Sequence, residues 1–275
     1  MKRIVWLMWP MLLVWCTACQ RGYRTAAYEA EGDTLQIEPD TLAEEPDDEV
    51  EEGRMDENFD DFLFSFIHSR RLQRERVVYP LPRTESNGET ETLNRLDCKR
   101  EFSFLENDFY TVFYGSTRQI DEQKQQSHER VEVEHILLDS LWMGIYSFER
   151  RDGHWLLTAI HNQDLRQGEL TDFLTFYARF SSDSTFQQRS IAQPLRFSML
   201  DSDDNNEYIE GTIDASQWAS FGAEMPQGEI TNIRYGQTYN PRRVVMQKCG
   251  QANGMQELFT FEKRPAGWRL VAYDN

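Results

Sequence analysis

The chain has 275 residues, of which 39% are hydrophobic and 13% are aromatic, enough to build one or two cores. This composition excludes a wholly disordered protein. Lysine and arginine number 29 against 47 aspartate and glutamate residues, giving a formal net charge of −18. A nucleic-acid-binding surface needs a basic face, so this acidity argues against nucleic acid as a partner.

The N-terminal segment has the pattern of a signal peptide. Lys2 and Arg3 precede an apolar stretch, residues 4–15, that is shorter than the roughly 20 residues that a membrane-spanning helix needs. Small residues then precede Cys19, which resembles the processing site of bacterial lipoproteins, where the cysteine is acylated. We predict that residues 1–18 are removed and that Cys19 carries a lipid anchor. An uncleaved anchor or an ordinary signal peptide is the alternative.

The residue after Cys19 bears on which membrane holds the anchor. In lipoproteins of this kind, an aspartate at that position resembles a retention signal for the inner membrane. Gln20 occupies the position here. The resemblance therefore implies the outer membrane of the cell envelope, on either its periplasmic or its surface face.

An acidic segment separates the predicted anchor from the rest of the chain. Residues 29–61 hold 16 acidic residues and one base, Arg54, and residues 44–53 contain almost nothing apolar. Such a segment cannot bury enough apolar surface to fold, and its like charges extend it. We predict that residues 19–58 form a disordered tether, with a calcium-binding or partner-binding strip as the alternative.

The remainder of the chain contains an internal repeat. Three blocks recur in the same order at offsets of 111 to 114 residues: 59–66 with 170–177, 72–81 with 186–195, and 148–157 with 261–270. Self-similarity at a fixed offset indicates duplicated structural units. We therefore predict two domains, residues 59–163 and 164–275, each with its own core.

Each repeat is predicted to begin with helices and to continue with strands. Apolar residues at helical spacing in segments 59–67 and 170–177 predict one amphipathic helix at the start of each repeat. Val131 and Val133 alternate with glutamates, which predicts a half-buried strand. Asp152-Gly153 lies between two alternating runs and predicts a hairpin turn. Helices followed by antiparallel strands predict an α+β fold.

These elements resemble a known family. The Phe-x-x-Phe/Leu helices, the Gln-then-Pro-Leu step and the closing Phe-Glu-x-x-x-x-x-Trp-x-Leu hairpin resemble an uncharacterised family of Gram-negative envelope lipoproteins with a nuclear-transport-factor-2-like (cystatin-like cone) fold. Segment 228–237 is also similar to that family. The resemblance covers residues 59–275 and implies two tandem cone-like repeats, each with N-terminal helices packed on a curved antiparallel sheet. The broader fold includes isomerases, dehydratases and binding proteins, so no particular activity follows.

The usual catalytic signatures do not occur in the sequence. There is no Gly-x-Ser-x-Gly, His-Glu-x-x-His, phosphate loop or Cys-x-x-Cys. His128 and His135 are seven residues apart, as are His154 and His161, and an odd spacing on a strand puts the rings on opposite faces. We therefore predict no catalytic residues, no metal site and no cofactor.

Three side chains are candidates for contact with a ligand or partner. His135 lies on the same predicted strand face as Val131 and Val133, so it should point inward. There it would be either an acid–base group or a buried neutral histidine. Tyr235 and Tyr239 lie in a segment that reads as a strand end and exposed loop, where we predict a contact surface.

Two cysteines besides Cys19 would remain after export, Cys98 and Cys249. An exported protein can form disulfides. The two positions are not equivalent in the repeat, so a bond between them would join the two domains. Two buried free thiols are the alternative.

These observations together favour a lipid-anchored, non-catalytic envelope protein that binds a small molecule, a glycan or a protein partner. The alternative is a cavity enzyme, such as an isomerase, dehydratase or hydrolase. That alternative requires a carboxylate or histidine inside one cone with a hydroxyl donor opposite. A purely structural spacer is the third hypothesis.

Overall fold

The structure is a computed structural model that describes residues 55–97, 102, 108–201, 207–251 and 254–275. The predicted signal peptide, Cys19 and most of the predicted tether lie outside these residues, as does Cys98. The described residues all belong to one compact unit. None of the helices in these ranges has the length and hydropathy of a transmembrane segment.

The folded body begins earlier than we predicted. Met55 and Asp56, which we assigned to the tether, are both buried. The Asp56 carboxylate accepts hydrogen bonds from Arg76 Nη2, from His154 Nδ1 and from the backbone N–H of Trp155, each at 3.0 Å. A buried carboxylate is tolerated when it is paired in this way. These bonds fix the end of the acidic segment to the body.

Five short α-helices and two 3-10 helices occur in the described residues. The α-helices are α1 (Phe59–His68), α2 (Arg70–Glu75), α3 (Arg118–Lys124), α4 (Thr171–Ser182) and α5 (Ser184–Arg189). The 3-10 helices are Leu165–Gln167 and Ala215–Phe221. The apolar stripe predicted for α1 is confirmed, because all five of its members are buried: Phe59, Phe62, Leu63, Phe66 and Ile67.

Twelve strands make up the sheet in the described residues. The first six are β1 (Leu81–Thr84), β2 (Thr90–Leu93), β3 (Phe109–Tyr114), β4 (Arg130–Leu137), β5 (Trp142–Arg151) and β6 (His154–Asp164). The last six are β7 (Ile191–Leu200), β8 (Tyr208–Ile213), β9 (Glu229–Arg234), β10 (Arg243–Gly250), β11 (Gln256–Arg264) and β12 (Gly267–Asp274). The order across the sheet is β2-β1-β6-β5-β4-β9-β3-β10-β11-β12-β7-β8.

The predicted hairpin between β5 and β6 is confirmed in detail. Its two turn residues, Asp152 and Gly153, have φ angles of 51° and 84°. Positive φ at both central residues is the requirement of a two-residue hairpin turn whose twist matches that of the strands. The mixture of helices with this sheet also confirms the predicted α+β class.

The sheet differs from the prediction in one important respect. We expected two domains with separate antiparallel sheets, and the structure has one continuous mixed sheet. From each edge of the sheet towards its middle, the two halves of the chain follow the same order, β2-β1-β6-β5-β4 on one side and β8-β7-β12-β11-β10 on the other. The third strand of each half, β3 or β9, is the exception, because these two strands are exchanged. Strand β9 pairs with β4 of the first half, and β3 pairs with β10 of the second half. The exchanged strands lie beside each other and are parallel, as are the pairs β1–β6 and β7–β12.

Two hydrophobic cores lie on opposite faces of the central strands. In β10, Val244 and Met246 belong to one core, and Val245 between them belongs to the other. Successive side chains of a strand point to opposite faces, so each central strand contributes to both cores. The first core packs against α1 and α2, and the second packs against α4.

Candidate ligand-binding pocket

A pocket of about 300 Å³ lies at the N-terminal end of α1, against the strand faces that carry the first core. We call it the α1 pocket. Its aromatic lining residues are Phe59, Tyr110, Tyr114, Trp155 and Tyr235. Its charged or ionisable lining residues are Glu57, Asp60, Asp61, Lys124, His128, Arg150 and Cys249. Apolar walls with a few convergent polar groups are typical of small-molecule sites.

A second cavity of about 690 Å³ adjoins the α1 pocket along the side of α1. The two cavities share five lining residues: Glu57, Asn58, Asp60, Asp61 and Tyr110. The second cavity continues past Leu63, Phe64 and Ile67, so its wall is more apolar. A ligand larger than the α1 pocket therefore has room to extend along the helix.

Asp60 stands where the two cavities meet. Its Oδ1 accepts a short hydrogen bond from the Tyr235 hydroxyl, and Tyr110 is a second hydrogen-bond partner. The side chain presents surface to the pocket, while protein atoms surround the carboxyl group and remove much of its hydration. This desolvation raises the pKa of Asp60, although the two tyrosine hydrogen bonds oppose the rise. The result is a carboxyl group held in place by two hydroxyl groups.

The exchange of strands places part of the second half in this pocket. Tyr235 directly follows β9, and it lies 175 residues away from Asp60 in sequence. Cys249 of β10 also lines the pocket. It is buried as a free thiol, and burial raises its pKa to about 12. Cys249 therefore stays protonated at neutral pH and is a poor nucleophile.

Trp155 closes one side of the pocket. It is only 2% exposed, and its indole N–H has no hydrogen-bond partner among the described residues. Arg150 lies directly opposite Trp155 in the β5–β6 hairpin and also lines the pocket. His128 lies on another side, where its ring centre is 5.1 Å from that of Tyr235.

His135 does not line the pocket. Its Nε2 is 2.8 Å from Glu229 Oε1, and its ring packs edge-on against Trp142 with 5.4 Å between centres. Partial burial lowers the pKa of His135, while the carboxylate of Glu229 opposes that shift. In the structure, this histidine is part of the pairing between β4 and β9, outside the α1 pocket.

The two tyrosines of the predicted contact surface have separate surroundings. Tyr235 is buried, and its ring packs edge-on against Phe59 at 6.3 Å, so it belongs to the first core and not to an exposed loop. Tyr239 is half-buried and does not line the α1 pocket; the Arg234 guanidinium lies 5.2 Å from its ring centre. The exposed aromatic surface that we predicted is therefore not formed by this pair.

Most residues of the pocket have no direct signal in the sequence. In the sequence, Asp60 falls only within the repeated block 59–66 and Trp155 only within the repeated block 148–157. Tyr110 and His128 belong to no motif. Their proximity depends on which strand lies beside which, and residue spacing along one strand does not determine its neighbour. The described residues also contain no cluster of three or more histidine, cysteine or acidic side chains that could hold a metal ion.

The fold is that of nuclear-transport-factor-2-like proteins. The crystal structure of an ntf2-like protein from Bacteroides fragilis is similar to this chain, with 33% sequence identity and a TM-score of 0.74. The alignment covers 80% of this chain and 96% of that chain. The family described as domain of unknown function DUF4348 matches residues 37–275, and the chain belongs to it. Among curated proteins, none matches this sequence.

Proposed function

We propose that this protein binds a small molecule in the α1 pocket and does not transform it. The observation that carries the proposal is the combination, in one pocket, of aromatic walls with a carboxyl group fixed by two tyrosine hydroxyls. Groups that are already in position before binding lower the ordering cost of binding. The pocket volume of about 300 Å³ suits a compact ligand of the size of a single ring.

The proposal places the protein in the cell envelope, anchored by acyl chains on Cys19. The signal-peptide pattern before Cys19 supports this location, and the acidic segment that follows supports a tether of variable reach. Mass spectrometry of the mature N-terminus tests it. An N-terminal Cys19 carrying acyl chains is expected, and a mature chain that begins at another residue would contradict the anchor.

The proposal also includes an origin by duplication, in which two tandem cone-like repeats became one body. The recurrence of sequence blocks and the matching strand order of the two halves support it. In this view, one copy retained a pocket for the ligand. A glycan or protein partner remains compatible with the second, more apolar cavity beside α1.

Ligand binding is tested by blocking the mouth of the pocket. Ser127 is an exposed lining residue, and Gln125 is exposed nearby but does not line the pocket. A fragment library is screened by thermal shift against the wild type, Ser127→Trp and Gln125→Trp. We expect fragments that raise the melting temperature of the wild type and of Gln125→Trp, but not that of Ser127→Trp. Fragments that stabilise all three proteins equally, or none that stabilise the wild type, would refute the proposal.

A cavity enzyme is the second candidate, and Asp60 is the observation that favours it. A carboxyl group with a raised pKa beside two hydroxyl donors has the groups required for general acid–base chemistry. If the protein is an enzyme, Asp60→Asn should abolish turnover while ligands still bind. If it is a binding protein, the ligand should be recovered chemically unchanged from the wild type.

A further inference from the structure

The last hairpin of each half, β5–β6 or β11–β12, which we call its closing hairpin, carries the same pair of residue types. Arg150 lies directly opposite Trp155 in the β5–β6 hairpin, and Lys263 lies directly opposite Trp268 in the β11–β12 hairpin. Directly opposite side chains share one face of the sheet and lie within contact distance of each other. Each hairpin thus places a cationic residue and a tryptophan on one face of the sheet.

In the second half, this pair binds a carboxylate of the protein itself. Asp172 Oδ2 accepts a hydrogen bond from Trp268 Nε1 at 2.7 Å and lies 2.8 Å from Lys263 Nζ. These bonds, first that of Lys263 and then that of Trp268, lower the pKa of Asp172. The pair is therefore well suited to a single carboxylate oxygen.

In the first half, the corresponding carboxylate makes other contacts. The repeat aligns Asp172 with Asp61, whose Oδ2 accepts a hydrogen bond from Asn58 Nδ2 at 3.2 Å. The indole N–H of Trp155 has no partner among the described residues. Within the described part of the chain, the Arg150 guanidinium donates one hydrogen bond, from Nε to Gly153 O at 3.4 Å. A buried N–H without an acceptor is costly, but protein atoms enclose this one, so a ligand oxygen reaches it only if the Trp155 ring turns toward the pocket.

We propose that the α1 pocket binds a small organic acid whose carboxylate lies against Trp155 Nε1 and the Arg150 guanidinium. This inference rests on the proposed ligand-binding function and names the chemical class of the ligand. The ligand carboxylate would take the role that Asp172 has in the second half. The aromatic lining, with Phe59 and Tyr235 among its members, would contact an apolar or aromatic body attached to that carboxylate.

The test uses three probes of the same shape and different charge: phenylacetate, benzyl alcohol and benzylamine. Each is titrated into the ¹⁵N-labelled mature full-length chain, and the indole N–H resonance of Trp155 is followed by NMR. Trp155→Phe assigns that resonance by its loss. Arg150→Gln removes the pocket cation that lies opposite Trp155 and leaves Lys124 in place, and Lys263→Gln is the matched control at the equivalent position of the other hairpin.

We expect phenylacetate to bind most tightly of the three probes and to shift the Trp155 indole resonance. Arg150→Gln should weaken phenylacetate binding by about tenfold, because a charge-assisted bond is lost, while Lys263→Gln should leave it unchanged. Benzylamine or benzyl alcohol binding as tightly as phenylacetate would overturn the inference. So would equal effects of the Arg150 and Lys263 substitutions.

The experiment separates this inference from the proposed function. If other small molecules bind in the α1 pocket without moving the Trp155 indole resonance, the carboxylate site is wrong and the binding function stands. If neither these probes nor the fragment library perturb any residue of the pocket, both proposals fail.

Discussion

The two closing hairpins have the same register and the same paired residue types, but the surroundings of the two pairs differ. In the second half, Lys263 and Trp268 converge on Asp172, so the pair is satisfied within the protein. In the first half, Arg150 and Trp155 face a pocket. The comparison shows that duplicated positions can keep the same residue types while one pair holds a carboxylate of the protein and the other pair lines a pocket.

The two cores provide the strongest test of how far the halves depend on each other. Phe62 and Phe173 are equivalent in the repeat and almost fully buried, one in each core. Replacing either residue by Ala should cost about 3–5 kcal/mol of unfolding free energy. Because the sheet is continuous, we expect both variants to shift one and the same cooperative transition in denaturant unfolding followed by circular dichroism. Two transitions, with each variant moving only one of them, would show that the halves unfold independently.

A buried carboxyl group at the centre of the sheet should make stability depend on pH. Glu134 on β4 accepts a hydrogen bond from Asn232 Nδ2 of the exchanged strand β9 at 2.7 Å, and burial raises its pKa to about 7. The folded state therefore favours the protonated form. The stabilisation is complete below the ordinary glutamate pKa of about 4.5 and is lost as the pH rises through about 7, a change of up to about 3 kcal/mol.

Denaturant unfolding of Glu134→Gln between pH 4.5 and 8 tests this prediction. The variant, which cannot ionise, should lose most of the fall in stability that the wild type shows over that range. Glu129→Gln, at an exposed position directly before the same strand, is the control and should keep the wild-type profile. A Glu134→Gln profile identical to that of the wild type would contradict the prediction.

The comparison of the two hairpins also predicts that the equivalent aspartates Asp172 and Asp61 contribute unequally to stability, although the difference is smaller than the effects above. Asp172→Asn should destabilise the protein by about 1 kcal/mol, because Lys263 loses an ion-pair partner that is largely solvent-exposed and therefore screened. Asp61→Asn should change stability by less than about 0.5 kcal/mol, since in the described residues Asp61 is bonded to Asn58 and not to Arg150 or Trp155. Thermal unfolding of both variants measures the difference, and equal losses would show that Asp61 serves the first hairpin after all.

Local features were predictable from the sequence because they depend on neighbours along the chain. The apolar stripe of α1 and the Asp152-Gly153 turn follow from helical periodicity and from the need for positive φ. The exchange of β3 and β9 was not predictable in this way. Both strands bury side chains on two faces, and that pattern indicates a central strand without saying which strands flank it.

The candidate site was harder to predict because it depends on that exchange. Tyr235 reaches Asp60 only because β9 lies beside β4, whereas its sequence neighbourhood suggested an exposed loop. The Trp155 indole N–H becomes informative only by comparison with Trp268 and its partner Asp172. The sequence alignment of the repeat contains that pair of tryptophans, but the hydrogen bonds that distinguish them appear only in three dimensions.

The exchange of β3 and β9 between the two halves limits how this protein can be divided into fragments. A fragment ending at residue 164 would keep β3 without β10, and β4 without β9. Its unpaired backbone groups along both strands would form edges prone to associate with other chains. We therefore expect either half alone to associate through these edges, and the pocket can be moved to another scaffold only together with both parts of the molecule.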